Sequence, residues 1–324
     1  MKAAGIRIPR WVSIVLVVST LGLVFWMVAR DRPSLDALGG IDPIDLFIIM
    51  VLQVLYLVPE SYRQKIVIES SSHTSIRPFR WFQIFVVGRF LNTLVPQSGN
   101  VYRALRLRTD LGIGLSEFGG GMAAFVIMSV VASLFVAAPL VAWQSPSPTI
   151  NGMPVWVLLL VAGFTIGGIP VLLWLVVRNR SGDQGQPSRI LDTAQQVVTA
   201  TMTALSDLRL MISFVAVWIV TLIVVVALYR SVFDVIGWEL GIGEAIAIYA
   251  LLQASSFVVL TPGNLGIQEL GLASLAAVFG IPAAIGVIAA ALIRTTGWIA
   301  VAIPAALFGS NDIIGYFRSE SVKE

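Results

Sequence analysis

Cysteine is absent from all 324 residues, and histidine occurs once, at His73. Disulfides and thiolate chemistry are thereby excluded. A Ser-His-Asp triad or a histidine-built metal site has almost nothing to draw on. Charge is scarce as well: 12% of residues are Asp, Glu, Lys or Arg, against about 25% in an ordinary soluble domain. The longest polar stretch, 178–209, is too short for a soluble domain of usual size. The glycine run 119–121 follows no strand and precedes no Lys-Ser/Thr pair, so it is not a nucleotide loop. No carboxylate cluster suggests metal chemistry, and acid–base catalysis would rest almost wholly on Glu269. The expectation is a non-enzymatic chain with no metal and no cofactor. The net charge of +3 fits basic loops at a membrane face, so no nucleic-acid partner is expected.

What is present is apolar surface: 57% hydrophobic residues, with a mean hydropathy of +0.89. Long apolar runs recur along the whole chain, the signature of an all-α integral membrane protein. Candidate full spans lie at 11–29, 43–59, 117–143, 154–177, 210–234 and 283–308. Regions 81–99 and 243–280 are apolar but interrupted. The first run follows Lys2, Arg7 and Arg10 and offers no A-x-A site, so it is read as a retained helix. Basic residues then set the topology. Arg63, Lys65, Arg77 and Arg80 mark a cytoplasmic loop, and so do Arg103, Arg106 and Arg108. Region 81–99 lies between two such clusters, which a hairpin entering and leaving on one side satisfies. The stretch 144–154 has no Lys or Arg and faces out, whereas Arg178, Arg180, Arg189 and Arg209 return inside. Leu191, Ala194, Val198, Leu205 and Leu208 form an amphipathic stripe in this linker, on the inner leaflet or against the bundle. Asp42, Asp45 and Glu60 are expected at solvated helix ends. Region 243–280 is either two crossings that turn at Pro262 or a hairpin dipping in from outside. Its turn lacks Lys and Arg, which favours the hairpin. Both termini are expected in the cytoplasm, and the membrane is expected to be the plasma membrane.

The two interrupted regions resemble each other. One reads LVPQSGNVYR (94–103) and the other LTPGNLGIQE (260–269). Each has a proline, a Gly-Asn pair and then a charge: seven positions separate Pro96 from Arg103, and seven separate Pro262 from Glu269. Opposite entry sides make this an inverted repeat, with halves at about 43–143 and 210–308 joined by the linker 178–209, in a single transmembrane domain over 1–324. Pro96, Gly99, Pro262, Gly263 and Gly266 are the expected turn or hinge residues. Glu269, Arg294 and Arg89 fall in apolar sequence. A central arginine costs about 2.5–3.5 kcal/mol on insertion scales, so each needs a partner or a polar cavity. Glu269 and Arg294 are the natural pair, and a structural ion pair that fixes helix register is one reading of them. The other is a polar chamber for a lipid headgroup, lined by Arg89, Asn92, Asn100, Arg103, Asn264, Glu269 and Arg294. Guanidinium groups near Arg103 suit phosphate.

LVPQSGNVYRALRL, LTPGNLGIQELG and the late intramembrane Arg294 resemble the flippase-like transmembrane region of lysylphosphatidylglycerol synthases and of many stand-alone bacterial and archaeal membrane proteins. The resemblance covers about residues 10–310. It implies a helical bundle with broken helices and lipid handling, with translocation of an aminoacylated phospholipid as the best-known role. Some stand-alone relatives accompany enzymes of polyprenyl-linked sugar or lipid metabolism. The implied partner is a membrane phospholipid or a polyprenyl-phosphate lipid. No aminoacyl-transferase segment is present, so lysyl transfer is not expected of this chain. Relatives often carry a Glu-Arg pair in the span after the first motif. Here Arg294 lies 25 positions beyond Glu269, but Met128 lies 25 beyond Arg103. That departure keeps open a second reading, a non-catalytic scaffold or accessory subunit with a membrane-enzyme partner.

Overall fold

A computed structural model describes residues 40–95, 97–143, 149–150, 152–180, 198–199, 201–255 and 266–320. Among these, nine helices and one two-stranded ribbon are labelled in order, and residues 201–206 are helical as well. Helix α1 spans Pro43–Ser72, α2 Pro78–Leu94, α3 Ser98–Leu111 and α4 Leu115–Ala142. The ribbon pairs β1, Thr149–Ile150, with β2, Met153–Pro154, in antiparallel register. Then come α5 (Val155–Arg180), α6 (Leu208–Val235), α7 (Ile242–Ser255), α8 (Ile267–Val278) and α9 (Ala283–Glu320).

Local sequence sets the helix ends. Asp42 accepts from the Ile44 N–H at 2.8 Å and Pro43 opens α1, the usual N-terminal chemistry. Asp207 does the same for α6, accepting from Arg209 and Leu210. Glu117, Glu244 and Glu269 each reach back three residues to a glycine N–H, on Gly114, Gly241 and Gly266. Gly112 closes α3 at φ +71°, a left-handed cap that favours glycine.

Four described helices are long and apolar enough to cross a membrane: α1, α4, α6 and α9 over Ala283–Gly309. The expected spans at 43–59, 117–143, 210–234 and 283–308 map onto them. The span expected at 154–177 lies within α5, whose apolar described part is Val155–Gly168. The span at 11–29 and most of the amphipathic linker fall outside the described residues. Large apolar side chains point outward as well as inward; Ile223 is 65% exposed and Phe47 is 65% exposed. A bundle that is apolar on its outer faces needs lipid as its solvent. The chain is a multi-pass membrane protein.

One expectation for α1 is overturned. The sequence places this span at 43–59, with Glu60 solvated at its end and Arg63 and Lys65 in a loop. Instead α1 runs on through Pro59 to Ser72, about 45 Å at 1.5 Å per residue. Glu60 is buried and Arg63 is fully enclosed. The reason is local. Residues three apart share a helix face, so Glu60 and Arg63 pair with each other. The guanidinium also lies over the rings of Phe125 and Phe214, 5.7 and 5.5 Å from their centroids, where it gains cation–π attraction.

Helix α1 packs antiparallel to α6, since Arg63 meets Phe214 while Ile49 joins Leu228, Val232 and Phe233. Helices α2 and α3 fold into a hairpin whose open ends are tied by Arg80 and Asp110 at 2.8 Å. Gly88 and Gly99 bring its two backbones together: a Cβ on Gly99 would overlap the Gly88 carbonyl, a contact open only to glycine. The start of α7 (Ala245, Ile248) and the end of α8 (Ala276) share one apolar cluster with the end of α6. This second pair therefore opens at the end of the molecule opposite the first. Helix α9 passes both, with Phe308 against Phe79 and Phe82 at one end and Ile285 in the α6–α8 cluster at the other.

Candidate functional site

Residues of both helix pairs line one cavity against α9, around Arg294. Arg294 lies 11 residues after Ala283, about 16 Å along the helix axis. There it meets Glu269, in the first turn of α8. The Arg294 Nε lies 2.6 Å from Glu269 Oε1, and Nη2 donates to Oε2 at 2.9 Å. Glu269 Oε2 also accepts from the Gly266 N–H at 2.7 Å. Both charged side chains are 9% exposed. A guanidinium–carboxylate pair with one charged hydrogen bond, a second close ionic contact and a backbone donor is a strong arrangement for a buried charge. Gly266 holds φ +86°, which starts α8 at this depth.

From the other side come Arg89 and Asn92 on α2 and Arg103 on α3. Arg89 stacks over the Tyr56 ring at 5.3 Å. Arg103 is 4% exposed. Its Nη1 donates to Gln64 Oε1 at 2.6 Å, its Nε to the Gly99 carbonyl at 3.3 Å, and it lies over Phe85. Gly88 makes room for it, because a Cβ there would lie 2.7 Å from the Arg103 Nε. Asn92 Oδ1 accepts from the Gly99 N–H at 2.8 Å and so locks the turn of the hairpin.

Between these groups lies a cavity of about 320 Å³, whose polar wall includes Arg89, Asn92, Arg103, Gln64, Gln53 and Arg294. A second space of about 190 Å³ shares Gln53, Arg89, Gln268 and Arg294 with it and adds Tyr56 and Tyr249. Gln268 and Trp298 at the rim are exposed. Among the described residues, neither Arg89 nor Arg103 has a carboxylate within ion-pair distance. The arrangement can hold an anion. No three His, Asp or Glu side chains gather to hold a metal ion among the described residues.

Of the residues singled out in the sequence, Arg89, Asn92, Arg103 and Arg294 line the cavity, and Glu269 holds Arg294 from behind. Asn100 does not line it; its amide donates to Gln97 Oε1 at the hairpin tip, at 2.6 Å. Gly99 proves to be a backbone contact rather than a turn residue. Pro96, Pro262, Gly263 and Asn264 lie outside the described residues. Met128 is buried among apolar neighbours, so its position carries no charge. Sequence reasoning missed Gln53, Gln64 and Gln268. Gln53 left a signal, as the lone amide within the apolar run FIIMVLQVLYLV. It donates to the Ile293 carbonyl at 2.8 Å and so ties α1 to α9.

No curated protein and no solved structure matches the chain. A family model, that of the lysylphosphatidylglycerol synthase TM region, matches residues 10–305. With nearly the whole described bundle inside that match, the chain belongs to the family of the lysylphosphatidylglycerol synthase transmembrane region.

Proposed function

We propose that this protein moves or presents an anionic or polyprenyl-phosphate lipid between bilayer leaflets, its headgroup entering the chamber between the two helix pairs while its tails stay in the bilayer. The observation that carries this reading is the cationic cavity beside the middle of the Ala283–Gly309 part of α9, walled by Arg89, Arg103 and Arg294. Hydrocarbon does not tolerate such groups without a purpose or a partner. The helix pairs open at opposite ends, which supports an inverted repeat gated one half against the other. On this reading α2–α3 enters from the cytoplasmic face and α7–α8 from outside, both termini are cytoplasmic, and the membrane is the plasma membrane. Arg77, Arg80, Arg106 and Arg108, at the open end of α2–α3, support that orientation. The chain acts without catalysis.

The test is a flip assay in reconstituted vesicles containing phosphatidylglycerol with a fluorophore on one acyl chain. Arg89→Gln and Arg103→Gln should each slow exchange at least fivefold. Wild-type rates in both variants would remove the chamber from the mechanism.

A second reading, a scaffold or accessory subunit of a lipid- or glycan-modifying membrane enzyme, has its own support. Glu269 is fully engaged by Arg294 and Gly266, as a structural tie would be, and Met128 is apolar. Stable co-purification of an enzyme, with no lipid exchange by the purified chain, would favour it.

A further inference from the structure

Among the described residues, the charges at the centre of the bundle do not balance. Arg63, Arg89, Arg103 and Arg294 supply four guanidinium groups, and Glu60 and Glu269 supply two carboxylates. Glu60 takes Arg63 and Glu269 takes Arg294. Among the described residues, Arg89 and Arg103 are left without a carboxylate at ion-pair distance: the Tyr56 ring lies against one, and the Gln64 amide, the Gly99 carbonyl and the Phe85 ring against the other. The excess of two positive charges among the described residues stands however the carboxylates are assigned. Guanidinium does not shed its proton in a protein, and a charge withdrawn from water without a counter-charge is costly. Both groups share one cavity wall, Arg103 buried and Arg89 half-buried. The Asn92 and Gln64 side chains accept bonds through oxygen, so their NH2 groups remain as further donors.

We infer that the chamber selects a dianionic headgroup: a terminal phosphate monoester on a lipid tail, rather than the singly charged phosphodiester of a common phospholipid. This rests on the lipid-handling reading and sharpens it. A phosphodiester would leave one guanidinium uncompensated. A phosphomonoester carries close to two charges at neutral pH, with its second pKa near 6, and offers three acceptor oxygens. Two planar forks and two amides match that donor demand.

The experiment is calorimetric titration of the purified full chain in detergent with two probes of equal tail: decyl phosphate, a dianion, and methyl decyl phosphate, its singly charged diester. At pH 7.5 the monoester should bind at least tenfold more tightly. The preference should disappear by about pH 5, below the second phosphate pKa near 6. The ionisable groups around the site are Arg89 on α2, Arg103 on α3, Arg294 with Glu269, Glu60 with Arg63, and the tyrosines Tyr56, Tyr229 and Tyr249 from α1, α6 and α7. No histidine is among them. Arg89→Gln and Arg103→Gln should each cut the preference below threefold while the diester still binds. Use of two positions keeps the test alive if one variant misfolds. Equal affinity for the two esters, or preference for the diester, overturns the dianion inference and leaves the lipid reading standing. Binding of neither probe overturns both. Inorganic phosphate competing as well as decyl phosphate would assign the site to free phosphate and overturn the lipid assignment.

Discussion

The Glu269–Arg294 pair makes the sharpest energetic prediction. Glu269→Gln keeps an acceptor for the Gly266 N–H and nearly the same shape, but it removes the charge that balances Arg294. Breaking a buried pair from one side costs about 3–5 kcal/mol, because the survivor is left as an uncompensated charge. The polar cavity beside Arg294, with Gln268 3.4 Å from its Nη2, softens this. A loss of about 2–3 kcal/mol is expected, at or just below the bottom of that range. The double variant Glu269→Gln, Arg294→Gln replaces the ions with two amides and should recover most of it. A double-mutant cycle should therefore return a coupling of about 2 kcal/mol, within the span seen for contacting residues. The assay is thermal unfolding in detergent, where such a loss corresponds to a fall in Tm of about 4–10 °C. A single variant as stable as the parent, or a coupling near zero, would show that the pair holds nothing together.

Three further outcomes follow from the packing. Gly99→Ala should cost about 3 kcal/mol, the upper range for over-packing, because its new methyl meets a backbone carbonyl that cannot swing aside. Gly119→Ala has open space and should leave Tm unchanged or slightly higher. Arg63→Ala should cost about 3–5 kcal/mol by leaving Glu60 buried and unpaired, and Glu60→Gln in the same chain should restore part of the loss, as read by denaturant midpoints. Because the chain has no native cysteine, single cysteines report topology cleanly. Arg77→Cys and Asp110→Cys should react with an impermeant maleimide from one face of the membrane and Glu239→Cys from the other.

Much of this bundle is legible in the sequence, for reasons that particular residues make plain. Asp42-Pro43, Glu117 and Asp207 announce helix starts through local hydrogen bonds, which need no tertiary knowledge. The Glu269–Arg294 pair is readable because α8 and α9 are consecutive elements, and consecutive elements usually pack together. The Glu60–Arg63 pair misled for the opposite reason. Charges close together after an apolar run resemble a loop, and only the rings of Phe125 and Phe214, about 60 and 150 positions on, show that the helix continues into the core. Gln53 and Gln64 escaped attention because their roles depend on Ile293 and Arg103, distant partners that no local pattern reveals. Asn100 was assigned to the chamber by its spacing alone, and its short bond to Gln97 turns it away.

The glycine contact within α2–α3 limits how any opening of the protein can happen. With the Gly88 carbonyl pressed against Gly99 and the Arg103 stem lying over Gly88, no layer of side chains is left between the two helices to slide or repack. Arg89 and Arg103 must then travel together, as fixtures on a single stiff arm. On the facing side Glu269 and Arg294 are fastened to each other across α8 and α9. Any widening is thus confined to the seam between these two bodies, where the Gln53 and Gln64 amides form the wall on α1.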